Sequence, residues 1–293
     1  MNLMKKIKLF AAVALMAHLS ALAQDEPLFA YPVAPDTCST LESRCDFIVT
    51  SFWDNYDLTK PIKDEARFTK AFEDYVDFFK YADKPIVLAA IREFMFKARA
   101  NATNFAKIGA LAEQTLYGEN AVYWSDEAYL PFAEAMAENK QMKKDVRSYY
   151  SAQVEKIKKN VLGAPMPLVE WTDVNGTRHK LSEVKASDIV IVLLTDGGMD
   201  SDMARLRLST DVVLNDMISQ GEVAVVDITL GRNDGAWTSR AKSFPENWQV
   251  GANNDIGKVL DIRYLPSAYV VDAQGKILNK NVSVEAIKRA FTN

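Results

Sequence analysis

Few side chains in this sequence could carry out chemistry, and their spacing narrows what each could do. Asp196, Asp200 and Asp202 fall within one seven-residue stretch, and three carboxylates are the hard oxygen donors that a calcium ion favours. The same pattern also suits a helix start, where Asp200 or Ser201 caps the first turn and the early acidic residues answer the helix dipole. Cys38 and Cys45 are the only cysteines. In one continuous helix their Cα atoms would lie about 10 Å apart, so a bridge between them requires the intervening chain to bend. Such a bridge is expected to be structural, contributing ~2–3 kcal/mol through loop closure. A catalytic dithiol is the alternative reading, although the spacing is not Cys-x-x-Cys. Of the two histidines, His18 lies in the N-terminal leader and His179 follows the tight turn Asn175-Gly176. A Ser-His-Asp arrangement would have to use His179, which reads instead as an exposed hairpin position.

The elements that would position these residues follow from hydrophobic spacing. The run Ile189 to Leu194 is continuous and β-branched, breaks at Asp196-Gly197-Gly198, and leads into an amphipathic segment from Arg205 to Met217. That predicts a buried strand turning sharply into a helix over about 200–219, the usual place for chemistry in an α/β fold. A second buried strand is expected over Val223 to Ile228. Strands are also expected at Ala268 to Val271 and at Lys276 to Leu278. Leu168 to Thr172 and Arg178 to Leu181 form a hairpin around Asn175-Gly176, and a closing helix covers Val284 to Phe291. Upstream the period is helical: Phe68, Ala71, Phe72 and Tyr75 recur at three and four, as do Val87, Ile91, Phe94, Met95 and Ala98, so each segment buries one stripe. Phe105, Ile108, Ala112 and Leu116 continue the pattern. Ser125 before Asp126-Glu127 is an expected N-cap, and a last helix runs from about Lys143 to Lys159. The pattern changes at Gly163-Ala164-Pro165, which sets the expected domains at 24–160 and 161–293.

Residues 1–23 read as a secretory signal: Lys5, Lys6 and Lys8, then an apolar run, then Ala21-Leu22-Ala23. The run is too short to span a bilayer, so the expected mature protein is periplasmic or secreted, in the manner of a Gram-negative bacterium, with no membrane insertion after cleavage. Removing those three lysines from 35 basic residues leaves 32 against 39 acidic, a net charge of −7. That balance argues against nucleic acid or an anionic membrane as partner. With one histidine left, zinc hydrolases needing several His ligands are excluded.

From Gly163 onward the sequence resembles the thioredoxin-like fold, in the version used by secreted thiol-disulfide oxidoreductases and peroxiredoxin relatives. The features that carry the likeness are Gly163-Ala164-Pro165, the Asn175-Gly176 hairpin, the strand-turn-helix at 189–219, and Leu265-Pro266 ahead of Ala268-Tyr269-Val270-Val271-Asp272. The helical part is similar to a domain of unknown function that precedes thioredoxin-like domains in exported bacterial proteins, through Arg44-Cys45-Asp46, Phe52-Trp53-Asp54-Asn55-Tyr56-Asp57 and Gln114-Thr115-Leu116-Tyr117. The expected class is therefore α+β with two domains, an all-α helical domain followed by a thioredoxin-like α/β domain. The resemblance places Met199 and Asp202 at the two positions that hold catalytic cysteines in a working enzyme. A thioether cannot form a disulfide and a carboxylate cannot displace a thiolate from sulfur. The resemblance also implies a cis Pro266, with Leu265, Gly197 and Gly198 lining a groove for an extended peptide. The reading is a redox-inactive domain that binds or scaffolds an unknown protein or peptide and uses no cofactor. The two alternatives are redox chemistry at Cys38 and Cys45, and calcium at Asp196, Asp200 and Asp202.

Overall fold

The computed structural model describes residues 26–231 and 234–292. The leader expected at residues 1–23 lies outside the described residues. The chain forms two compact units, one ending at Thr115 and the other beginning at Leu116. Helices give way to strands near residue 161, as expected, but the contact boundary comes earlier. Residues 116–160 hold to the strands through Tyr117, Asp126 and Asn160, whose partners are given below.

The first unit is built from α1 (Leu41–Ser51), α2 (Glu65–Asp77), α3 (Lys84–Ala98) and α4 (Ala102–Leu116), the last of which carries the chain across the division. Each of the first three starts on a side-chain cap. Thr40 and Ser43 form a capping box, Asp64 accepts from the Arg67 amide, and Asp83 accepts from the Ile86 amide. Such caps satisfy N–H groups that the helix leaves unbonded. The predicted stripes point inward: Phe68, Ala71, Phe72, Tyr75, Val87, Ile91, Phe94, Met95 and Ala98 are all buried. Trp53 stacks on Phe94 with ring centroids 4.6 Å apart. Fully buried Asn104 accepts from the Ile62 amide and donates to the carbonyls of Leu58 and Lys60. It thereby satisfies a loop that would otherwise bury bare backbone.

The second unit begins with α5 (Asp126–Glu138) and α6 (Lys144–Lys159). Ser125 caps α5 as the sequence predicts, its hydroxyl accepting from the Ala128 amide. The strands β1 (Glu170–Thr172), β2 (Arg178–Lys180), β3 (Ile189–Thr195), β4 (Val223–Thr229), β5 (Gln249–Ala252), β6 (Ser267–Asp272) and β7 (Ile277–Val282) form one sheet, ordered β2-β1-β5-β4-β3-β6-β7. β3, β4 and β5 run parallel, while β6 is antiparallel to β3 and β7 to β6. Alternation along β3 sends Val190, Val192 and Leu194 into one core and Ile191 and Leu193 into the other. This is why the run reads as continuously apolar: both faces of the strand are covered.

Three local features depart from the expectations. The helix over 200–219 is two helices, α7 (Met199–Ser209) and α8 (Val212–Ser219), because Asp211 accepts from the Leu214 amide and restarts the chain. The stretch after β4 holds α9 (Gly235–Ala241) and β5 where only a connection is expected, ahead of a 3-10 turn at Ile256–Lys258 that matches the short helix expected around Asp255 to Leu260; the chain closes with α10 (Val284–Thr292). The Asn175-Gly176 turn sits inside a five-residue loop because Asp173 accepts from the amides of Asn175 and Thr177. His179 lies 2.9 Å from that same carboxylate and stacks on Trp171. A Cβ at Gly251 would come within 2.1 Å of the Trp171 ring and 2.8 Å of the Thr172 carbonyl oxygen, so β5 reaches β1 only through a glycine.

A second group of polar residues ties α5 to the sheet. Asp261, whose side chain is 2% exposed, accepts from the Tyr117 hydroxyl at 2.6 Å, from Lys280 at 2.8 Å and from Arg263 at 3.2 Å. Asp126 pairs with both Arg263 and Lys280. The Tyr269 hydroxyl joins Asn160 to the Asp261 backbone. Burial pushes the Lys280 amine down, with Asp261 resisting, and pushes the Tyr117 and Tyr269 phenols well up. Arg263 stacks its guanidinium over the Tyr117 ring at 4.3 Å.

Candidate functional site

The turn after β3 lies at the carboxyl edge of the sheet. Asp196 folds back on it, its Oδ1 accepting from the Gly198 amide at 2.8 Å and from the Ser201 hydroxyl at 2.7 Å. Those two bonds hold its carboxyl below the usual range. Ser201 Oγ in turn accepts from the Asp196 amide. Gly198 holds the N-cap position of α7 and no side chain caps it, neither Asp200 nor Ser201 as expected, while Asp196 closes the turn before the helix. Both glycines are approached closely: a Cβ at Gly197 would meet Arg240 at 3.0 Å, and one at Gly198 would meet Asp196 Oδ1 at 3.0 Å.

Met199 opens α7 with its side chain out, 79% exposed. The Leu265–Pro266 peptide bond is cis. Leu194 pairs with Ser267 across β3 and β6, the last pair of that ladder, so the cis peptide leads directly into β6 at the end from which β3 departs. Gly197, Gly198 and Met199 thus leave β3 at the end where Leu265 and Pro266 enter β6, and Leu265 packs partly buried against the core on one face of the sheet.

Beneath the turn lies a group of residues that sequence reasoning missed. Arg205 of α7, 4% exposed, donates from Nε to Asp227 at 2.5 Å and from Nη1 to Asp202 at 2.9 Å. Its Nη2 donates to the hydroxyls of Thr195 and Thr229. Thr195 passes a hydrogen bond on to Asp227 at 2.7 Å, and the Phe244 ring lies 4.1 Å from the Arg205 guanidinium carbon. Arg240 of α9 donates to the Gly197 carbonyl at 2.9 Å and to Asp202 at 2.7 Å. Burial pushes the Asp227 carboxyl above its ordinary range, and Arg205 opposes that push. Two arginines and two aspartates thus balance under the turn, each charge answered by a fixed partner. One signal was legible: Asp227 is a lone charge inside the apolar run Val223 to Ile228, which demands a buried counter-ion.

The three aspartates of the calcium alternative do not converge in this geometry. Asp196 is engaged in the turn, Asp202 is held by two arginines, and Asp200 stands exposed on its own. Among the described residues no group of three His, Cys, Asp or Glu side chains is placed to hold a metal. The expected Cys38–Cys45 bridge is likewise replaced by two free thiols. Cys38 stands before the capping box, its carbonyl bonded by Arg44, while Cys45 is 3% exposed on the inner face of α1. Burial, with Asp46 beside it, pushes the Cys45 thiol up, away from the thiolate that redox chemistry requires.

The model of a family described as a domain of unknown function (DUF5106) matches residues 8–160, more than half of the chain. The chain belongs to the DUF5106 family. This DUF5106 protein is also similar to a thioredoxin-like protein from Bacteroides caccae, with 22% identity and a TM-score of 0.79 over 90% of this chain and 98% of that one. That likeness, with the sheet order above, makes the strand-bearing part thioredoxin-like in fold. The C-terminal domain of an uncharacterized protein from Bacteroides fragilis is 18% identical, covers 46% of this chain and 99% of its own, and has a TM-score of 0.43. The thioredoxin domain of a thiol-disulfide oxidoreductase from Bacteroides vulgatus is 19% identical, covers 44% and 94%, and has a TM-score of 0.38. Comparison with curated proteins gave no match to the DUF5106 protein. Among its described residues no helix is long and apolar enough to cross a membrane.

Proposed function

We propose that this is an exported, redox-inactive thioredoxin-like protein that binds an extended segment of a peptide or protein partner along Gly197, Gly198, Met199, Leu265 and Pro266. The observation that carries the reading is Met199. It heads α7 with its side chain exposed, at the position where the resemblance puts a nucleophilic cysteine. No cysteine lies anywhere from Leu116 to Asn293, so this part of the chain has no sulfur that could open a disulfide. What the turn retains is shape: two exposed glycines, a cis proline beside them, and an arginine that pins the Gly197 carbonyl. Backbone in such a turn can pair with an added strand.

Two measurements test this. Reduction of insulin disulfides by the purified protein should not rise above the reductant alone, either for the wild type or after Cys38→Ser and Cys45→Ser. Turnover that survives both replacements would refute redox inactivity, and turnover abolished by them would transfer the chemistry to the helical unit. In a pull-down from periplasmic extract, Met199→Asp combined with Leu265→Asp should lose a partner that the wild type retains. Equal recovery of every partner by both would remove the groove from consideration.

A further inference from the structure

We infer that the exposed face of α7 is a self-association surface, on which a second copy of this chain packs antiparallel across a two-fold axis. At about 100° per residue, Met199, Met203 and Leu206 line up along one side of α7, and they are 79%, 42% and 53% exposed. The opposite side, formed by Ser201, Ala204, Arg205 and Leu208, is buried. Three large apolar side chains therefore face outward in a row, uncovered among the described residues.

The charges beside the row identify the occupant. Asp200 and Arg207 are exposed and lie on the same flank of it, Asp200 near the start of the helix and Arg207 near its end. When two such helices pack antiparallel about a point near Met203, equivalent flanks meet, so Asp200 of each copy faces Arg207 of the other. The apolar row meets itself, and two opposite-charge contacts form at once, as an isologous interface requires. A parallel two-fold arrangement would instead bring opposite flanks together and set Asp200 of one copy towards Asp202 of the other, two carboxylates. Arg207 already touches Glu285, but both of those side chains are more than half exposed, and a surface pair of that kind exchanges partners at little cost. On the other flank Asp202 is held by Arg205 and Arg240, so it brings no unanswered charge to the contact. Met199 belongs both to this row and to the proposed peptide groove. Self-association does not rest on that groove, and it is tested on the purified protein with no partner present.

The test is sedimentation velocity of the purified mature chain from about 1 to 200 µM, a range over which mass action shifts a monomer–dimer equilibrium. The expected result is a dimer whose fraction grows with concentration. Met203→Glu should be monomeric throughout. Asp200→Arg and Arg207→Asp should each weaken association about ten-fold, and the two together should restore it, because reversing both members rebuilds each contact. All these positions are exposed, so matching thermal melts confirm that each variant is folded. A wild type that stays monomeric at every concentration overturns the inference and leaves the row to a different protein. A dimer indifferent to Met203→Glu, or a double reversal no better than the single ones, overturns it equally.

Discussion

Asp227→Asn is expected to lower the unfolding free energy by about 3 kcal/mol or more, the usual penalty for breaking a buried ion pair from one side. Asp227 is fully buried and Arg205 is 4% exposed. Removing the carboxylate leaves a guanidinium under the sheet edge with Asp202 as its remaining anion. The amide that replaces it can bond to Thr195 but cannot answer a charge. Replacing both partners by apolar residues, Arg205→Met with Asp227→Val, should recover most of the loss, since a buried pair gains little over a well-packed apolar one. Urea unfolding followed by tryptophan fluorescence reads both outcomes. An Asp227→Asn variant within about 1 kcal/mol of wild type would show that the pair contributes no more than an ordinary hydrogen bond. The same double variant separates stability from binding: if it folds yet loses a partner, the network beneath the turn is what sets the shape of the groove.

The second large effect is at Asp261. Its carboxylate is shared by Tyr117, Arg263 and Lys280. Asp261→Asn should cost about 3 kcal/mol at neutral pH, because Asp126 alone then faces two buried cations. The pH dependence gives a sharper test. Burial already lowers the Lys280 amine from its ordinary 10.5, and Asp261 is what resists. Without that carboxylate the amine drops further. Between the folded value and 10.5 the unfolded chain binds more protons than the folded one, so stability rises with pH across that window. The window opens at lower pH in the variant, and its deficit should therefore shrink as pH climbs from about 7 towards 9.5. Above about 10 both proteins should weaken. Tyr117 and Tyr269 hold their protons when folded and lose them near 10.0 when unfolded. A deficit that stays constant with pH would mean that Lys280 keeps its charge whatever Asp261 does.

Much of this architecture could be read from spacing alone. The helical stripes at Phe68 to Tyr75 and Val87 to Ala98, the Ser125 cap, and strands β3, β4 and β6 follow from period and composition, because each buries a regular face. The break between α7 and α8 was harder to see, since the apolar spacing continues through it and only Asp211 marks the restart. β5 was hidden because Gln249 to Ala252 has little strand character and is defined by its neighbours, with Gly251 admitted against Trp171. At the turn, the grouping of Gly197, Gly198, Met199, Leu265 and Pro266 rests on the resemblance and not on period or composition. Arg205 and Arg240 could not, because an arginine in an amphipathic helix reads as surface until the fold shows which side it faces. The aspartates misled for the same reason: proximity in sequence says nothing about whether carboxylates converge or turn to separate partners.

The four charges that join α5 to the sheet bear on how such a protein can be inherited. The family match ends at residue 160, yet within it Asp126 pairs with Arg263 and Lys280, and Tyr117 donates to Asp261, all three of which lie beyond that point. A gene fusion made at the junction would deliver a sheet with two sequestered cations and Asp261 alone to neutralise them. The compact unit that contains the thioredoxin-like part therefore begins near Leu116 rather than at residue 161.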